Sequence, residues 1–162
     1  LRYVSIDLQP ISKKLLKVKA MFALDARLQQ DTICLGDYPL CRLLLMNDAH
    51  YPWFILVPRR EDTSELFQLD AGEQAQLWRE TTVLAEKLKD CFAADKMNVA
   101  TLGNVVSQLH MHVIARRRDD AAWPAPVWGR NPAQPYTLEQ LSALKARLQL
   151  VLTNDFCFAE NF

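Results

Sequence analysis

The sequence predicts a single α+β domain, an antiparallel β-sheet carrying one long helix and shorter flanking helices. Three observations predict it. Short apolar-rich runs of strand length cluster at both ends of one long amphipathic stretch, instead of alternating with helices as a βαβ repeat would. The 162 residues suit one domain, and 50% of them are hydrophobic, enough for a sizeable core. Two capping boxes, Asp70 with Glu73 and Thr137 with Gln140, mark helix starts.

Residues 1–20 hold Arg2, Lys13, Lys14, Lys17 and Lys19 against one acid, Asp7, without the apolar core or cleavage pattern of a secretory leader. They read as an extension ahead of a domain spanning 21–162, or equally as a helical arm. Phe22, Leu24 and Leu28 recur at helical spacing, predicting a short helix that stops at Asp31-Thr32. Residues 32–37 and 40–47 read as strands joined by Tyr38-Pro39. Residues 53–57, apolar throughout and bounded by Pro52 and Pro58, read as a central strand covered on both faces.

The box at Asp70 opens a long helix that buries Leu77, Thr81, Leu84, Leu88 and Cys91 or Phe92. Arg79, Glu80, Glu86, Lys87 and Lys89 mostly face water, and Trp78 sits at the core rim. Residues 96–100 return as a strand, with Gly103 supplying a permissive backbone at the following turn. Residues 122–129, with Trp123, Pro124, Pro126 and Trp128, predict a stiff loop that forms a wall or an interface, or else only seals the core. The box at Thr137 opens a helix burying Leu138, Leu141, Leu144, Leu148 and Val151 or Leu152.

Lys plus Arg equals Asp plus Glu at 19 each, so no overall basic footprint suits nucleic acid, although Arg59-Arg60 and Arg116 to Arg118 could grip small anions. No apolar run approaches the roughly 18 residues that cross a bilayer. The four cysteines, Cys34, Cys41, Cys91 and Cys157, are scattered and form no Cys-x-x-Cys. They read as reduced thiols of a cytoplasmic protein, not as a zinc ribbon or redox pair.

The chemistry concentrates in residues 105–118. Read as a strand, this run places Gln108, His110, His112 and Ile114 on one face. Two of the chain's three histidines therefore stand side by side, with Arg116 and its neighbours following. Imidazole near its pKa of about 6.5 serves as nucleophile or proton donor, and guanidinium grips phosphate, so the pattern points to phosphate chemistry. A metal pair completed by His50 or Asp119, and a structural pair on an open sheet face, remain alternatives.

The run Gly103-Asn104-Val-Val-Ser-Gln108-Leu-His110-Met-His112-Val-Ile-Ala-Arg116 resembles the Gly-Gln-x-x-x-His-x-His-x-His motif of the histidine-triad (HIT) superfamily. Residues 43–48 and 53–60 resemble the two strands that precede it there, and the likeness covers about residues 21–128. The nearest likeness is to bacterial proteins described as diadenosine tetraphosphate hydrolase-like. It implies a homodimer that cleaves at the α-phosphate of dinucleoside polyphosphates or nucleoside phosphoramidates through a covalent nucleotidyl-His110.

By the same resemblance, His112 and Asn104, beside Gly103, contact phosphate, and Asn47 with Asp48 contacts the ribose. No cofactor is required, with Mg²⁺ only as counter-ion of a polyphosphate substrate. Gln108 stands at the first triad position. It can donate to a phosphate oxygen but cannot carry charge, a change worth about 1 kcal/mol, or several-fold in rate. A nucleotide-binding module that has lost turnover, and a metal-dependent hydrolase using His110 and His112, are the competing readings.

Overall fold

The structure, a computed structural model, describes residues 22–152, 155–160 and 162. The expected extension at 1–20 lies outside them. The elements in chain order are α1 (Ala26–Asp31), β1 (Thr32–Asp37), β2 (Cys41–Met46), β3 (Trp53–Pro58), α2 (Ala71–Cys91), β4 (Lys96–Ala100), β5 (Met111–Arg116), α3 (Leu138–Val151) and β6 (Cys157–Phe158). The strands form one sheet in the order β4-β5-β3-β2-β1-β6, with every neighbouring pair antiparallel. This is the α+β arrangement that the order of apolar runs predicts.

The period of two along each strand divides the core into two layers. Leu43 and Leu45 of β2, Phe54 and Leu56 of β3, and Met111 and Val113 of β5 pack with Leu77, Leu84 and Leu88 of α2 and Leu144 and Leu148 of α3. Leu44, Trp53, Ile55, Val57 and Ile114 turn the other way and meet Leu28 of α1 with Val106, Ala122 and Val127 from loops. β3 is buried along its whole length, as its unbroken apolar run predicts. Two long helices seal one face, while a short helix and loops cover the other, leaving room there for a cavity.

Both capping boxes form: Asp70 accepts from the Glu73 amide and Thr137 from the Gln140 amide. The structure corrects several expectations. The first helix begins at Ala26 behind the Asp25 cap, so Phe22 and Leu24 precede it. Glu80, expected in water, is buried, and its carboxylate accepts from the Leu40 and Cys41 amides at 2.8 and 2.9 Å, tying α2 to the β1–β2 turn. Helical periodicity cannot reveal a partner 40 residues away.

Leu138 is 86% exposed in the first turn of α3, whose buried residues Leu144 and Leu148 lie farther along the helix, and Trp78 is 49% exposed. β6 is too short to register as a strand in the sequence. Its pairing depends on Gly36, at φ +150°, where a Cβ would lie 2.1 Å from the Cys157 carbonyl oxygen. Gly103 needs no such freedom, because a Cβ there meets only ordinary contacts, the nearest at 3.5 Å.

Candidate active site

β5 begins at Met111, so His112 lies on the strand and His110 just before it. The antiparallel register sets Ile55 of β3 opposite His112, on the sheet face away from α2 and α3. His110 and His112 keep the shared orientation expected of alternate residues. Their ring centroids are 4.7 Å apart, edge to face, and each residue is 4% exposed. Both border a cavity of about 350 Å³, whose walls include Arg27, Leu28 and Asp31 of α1, Asn104 and Val106 of the loop before β5, and Trp128.

The hydrogen-bond partners fix the chemistry of each ring. Nδ1 of His110 lies 2.6 Å from the backbone oxygen of Gln108. A carbonyl only accepts, so Nδ1 carries the proton, and in the neutral ring Nε2 keeps its lone pair. For His112 the logic reverses. Trp53 Nε1 donates to His112 Nδ1 at 2.9 Å, and an indole nitrogen only donates, so the neutral His112 ring carries its proton on Nε2. The two rings thus offer one lone pair and one N–H.

Burial, reinforced by neighbouring His110, pushes the His112 pKa from 6.5 down to about 3. His112 is therefore a neutral hydrogen-bond donor at physiological pH. Trp128 closes over it edge to face at 5.0 Å and meets Trp53 at 5.3 Å, which favours the wall reading of this tryptophan. Trp123 lies elsewhere, against the Arg116 guanidinium at 5.7 Å.

Of the residues singled out in the sequence, His110, His112 and Asn104 border the cavity, and five do not. Gly103 only connects the lining residues Leu102 and Asn104. The Gln108 carboxamide turns to the N-terminal segment: Oε1 accepts from the Asp25 amide at 2.9 Å and Nε2 donates to the Ala23 carbonyl at 2.8 Å. The alternation argument fails there because residue 108 precedes the strand.

Asn47 Oδ1 accepts from the Tyr136 amide at 3.0 Å, and Asp48 Oδ1 accepts from the His50 and Gln134 amides at 3.2 Å each. Both side chains hold the segment leading to α3. Arg116 is 1% exposed and donates to both oxygens of Asp120 at 2.7 and 2.9 Å, to Asn98 Oδ1 at 2.8 Å and to the Ala125 carbonyl at 3.0 Å. Its guanidinium joins strands and loop. Three of the other four expected anion grips are likewise engaged, Arg59 on the Tyr38 and Pro39 carbonyls, Arg60 with Glu73 and Arg117 with Asp119, whereas Arg118 is held through its backbone amide on Asp95.

Sequence reasoning missed Arg27, Asp31 and Trp53. An Arg and an Asp four apart on a short helix look like any solvated pair, and only the tertiary fold turns them toward the histidines. Trp53 looked like core filler within an apolar strand. The two residues expected to complete a metal centre with the histidines do not border the cavity: His50 Nδ1 lies 2.6 Å from Asp48 and Asp119 pairs with Arg117 at 2.9 Å. Among the described residues no group of three or more His, Cys, Asp or Glu side chains is arranged to hold an ion. Nor is any described helix long and apolar enough to cross a membrane.

Comparison with known proteins places this geometry in context. Residues 27–119 match the HIT domain. A histidine triad protein from Marinobacter aquaeolei VT8 is 50% identical with a TM-score of 0.80, the match covering 82% of this chain and 97% of that one. One from Sinorhizobium meliloti 1021 is 47% identical with a TM-score of 0.79, covering 81% and 97%. One from Bradyrhizobium japonicum is 43% identical with a TM-score of 0.80, covering 83% and 100%. No curated protein matches the chain. With more than half of its length matched by the domain and three such relatives at 43–50% identity, the chain belongs to the HIT family, whose members are generally nucleotide hydrolases or transferases.

Proposed function

We propose that this protein is a nucleotide hydrolase or nucleotidyl transferase of the diadenosine tetraphosphate hydrolase-like kind. It cleaves at the α-phosphate of dinucleoside polyphosphates or nucleoside phosphoramidates through a nucleotidyl-His110 intermediate. The observation that carries this reading is the His110 Nδ1 to Gln108 carbonyl bond at 2.6 Å, which leaves the Nε2 lone pair as the nucleophile. No side chain at position 108 is needed for that orientation.

Nε2 of His110 attacks phosphorus, the P–O or P–N bond to the leaving group breaks, and that group leaves with a proton taken from solvent. Nε2–H of His112 and the amide of Asn104 donate to the non-bridging oxygens as charge builds on them. Water then attacks the nucleotidyl-imidazole, releasing the nucleoside monophosphate and restoring His110. The apolar wall of Leu28, Met46 and Ile55 suits a nucleoside, and Asp31 at its edge suits ribose hydroxyls, in place of Asn47 and Asp48.

The same reading carries a cytoplasmic homodimer whose catalytic domain is residues 21–162, with no cofactor and Mg²⁺ only as substrate counter-ion. Its test is release of AMP from diadenosine tetraphosphate and from adenosine phosphoramidate, with mass spectrometry of acid-quenched protein. Turnover, an AMP adduct on His110, and loss of both in His110→Ala are expected. Full activity in that variant would overturn the mechanism, and AMP binding with neither turnover nor adduct would leave a binding module.

A further inference from the structure

One residue links the two sides of the cavity. The backbone oxygen of Gln108 holds Nδ1 of His110, while its side chain holds the chain just ahead of α1. The carboxamide matches what it meets: Asp25 offers an N–H and Ala23 a carbonyl, so oxygen must face the first and nitrogen the second. Asp25 is also the N-cap of α1, its carboxylate accepting from the Arg27 amide at 2.8 Å. Gln108 therefore fixes the start of the helix from which Arg27, Leu28 and Asp31 reach the cavity.

That helix has only six residues. A helix so short does not persist on its own propensity, and its position depends on what anchors its ends. Leu28 is its single buried residue, and at the N-terminal end the two bonds from Gln108 join the packing of Phe22 and Leu24 against the core as its anchorage. The side chain does not border the cavity at all.

We propose that Gln108 is a positioning residue for nucleoside binding, a strut that docks α1 against the catalytic loop, and not a donor to the reacting phosphate. The proposal rests on the nucleotide reading above and gives the first triad position a new task. Residue 108 orients the nucleophile through its backbone and the nucleoside wall through its side chain. Changes to the side chain should therefore act on binding and leave the chemical step nearly untouched.

Two near-isosteric variants test this in the full chain. Gln108→Met removes both bonds, whereas Gln108→Glu keeps the acceptor for Asp25 and sets a carboxylate oxygen against the Ala23 carbonyl. With adenosine phosphoramidate as substrate, KM should rise about five- to tenfold in each, the scale expected for one or two hydrogen bonds, with kcat within about twofold. Amide hydrogen exchange should speed up across residues 23–31 and stay unchanged in β3 and β5.

A fall in kcat at constant KM, with exchange at 23–31 unaltered, would make Gln108 a phosphate donor and overturn the strut. Uniformly faster exchange over the whole sheet would also overturn it, by showing a general loss of stability. If the wild-type chain neither turns over the phosphoramidate nor binds AMP, the nucleotide reading fails, while the exchange pattern still decides whether Gln108 docks α1.

Discussion

The indole N–H of Trp53 donates to Nδ1 of His112 at 2.9 Å across two adjacent strands, β3 and β5. Because the indole cannot accept, this one bond decides the tautomer of His112 and leaves the proton of the neutral ring on Nε2. Trp53→Phe keeps an aromatic ring against Trp128 but removes the donor. The variant should lose about tenfold in kcat with little change in KM, and about 1–2 kcal/mol of stability from the unpaired buried Nδ1. Nitrogen NMR of His112 would show a mixture of tautomers in place of one. An unaltered spectrum and unaltered kcat would refute the assignment.

The same ring makes stability depend on pH. Burial holds its folded-state pKa at about 3, against 6.5 for the free group. Between those values the unfolded chain binds a proton that the folded chain refuses. The contribution of His112 to stability is thus fully present above about pH 6.5 and is lost as pH falls toward 3, at up to about 1.4 kcal/mol per unit. Urea unfolding at a series of pH values should show this slope, and His112→Gln should flatten it. An equal slope in the variant would assign the loss to other groups.

How far the sequence foretells this molecule varies with the range of the interaction. The fold was legible because strand alternation, the apolar run of β3 and the two capping boxes are local signals that burial only reinforces. The histidine pair was legible for the same reason, two residues apart at the start of one strand. Asp31, Trp53 and Glu80 were not, since their roles depend on partners 39 or more residues distant, or on which way a short helix is docked. Gln108 misled because a spacing rule for strands was carried past the point where the strand begins.

The end of α2 holds a local misfit. Ala93 has φ +48°, with its amide donating to the Asp90 carbonyl and the Ala94 amide to the Lys89 carbonyl, the two bonds of a Schellman cap. Glycine usually occupies that place because a Cβ costs energy in the left-handed region. Ala93→Gly should therefore raise stability by about 0.5–1 kcal/mol in urea unfolding, with kcat and KM unchanged. A loss of stability would mean that the alanine methyl packs usefully.

Arg116 separates a phosphate grip from an internal brace. Its guanidinium spans Asp120, Asn98 and Ala125 at 1% exposure, and lysine can reproduce the charge but not the planar fork. Arg116→Lys should cost about 3 kcal/mol, because Asp120 loses its paired bond in a buried setting. At temperatures where the variant remains folded, KM for adenosine phosphoramidate should stay near wild type. A raised KM without a change in unfolding midpoint would restore the phosphate role that the sequence suggested.

Under the proposed function, Asp31 provides the sharpest test of nucleoside against phosphate recognition. It stands at the end of α1 and borders the cavity with Leu28 and Met46, in the same lining as the two histidines to which the proposed function gives the phosphate. A carboxylate there can accept from both hydroxyls of a ribose, and hydrogen bonds to a charged acceptor are worth more than neutral ones. Asp31→Asn should thus raise KM for adenosine phosphoramidate about three- to tenfold, leaving kcat nearly constant. The same substitution should matter little for a 2′,3′-dideoxy substrate, which offers no hydroxyl to read. If both substrates lose affinity equally, Asp31 acts on the position of α1 and not on the sugar, the outcome expected if it only supports the strut formed by Gln108.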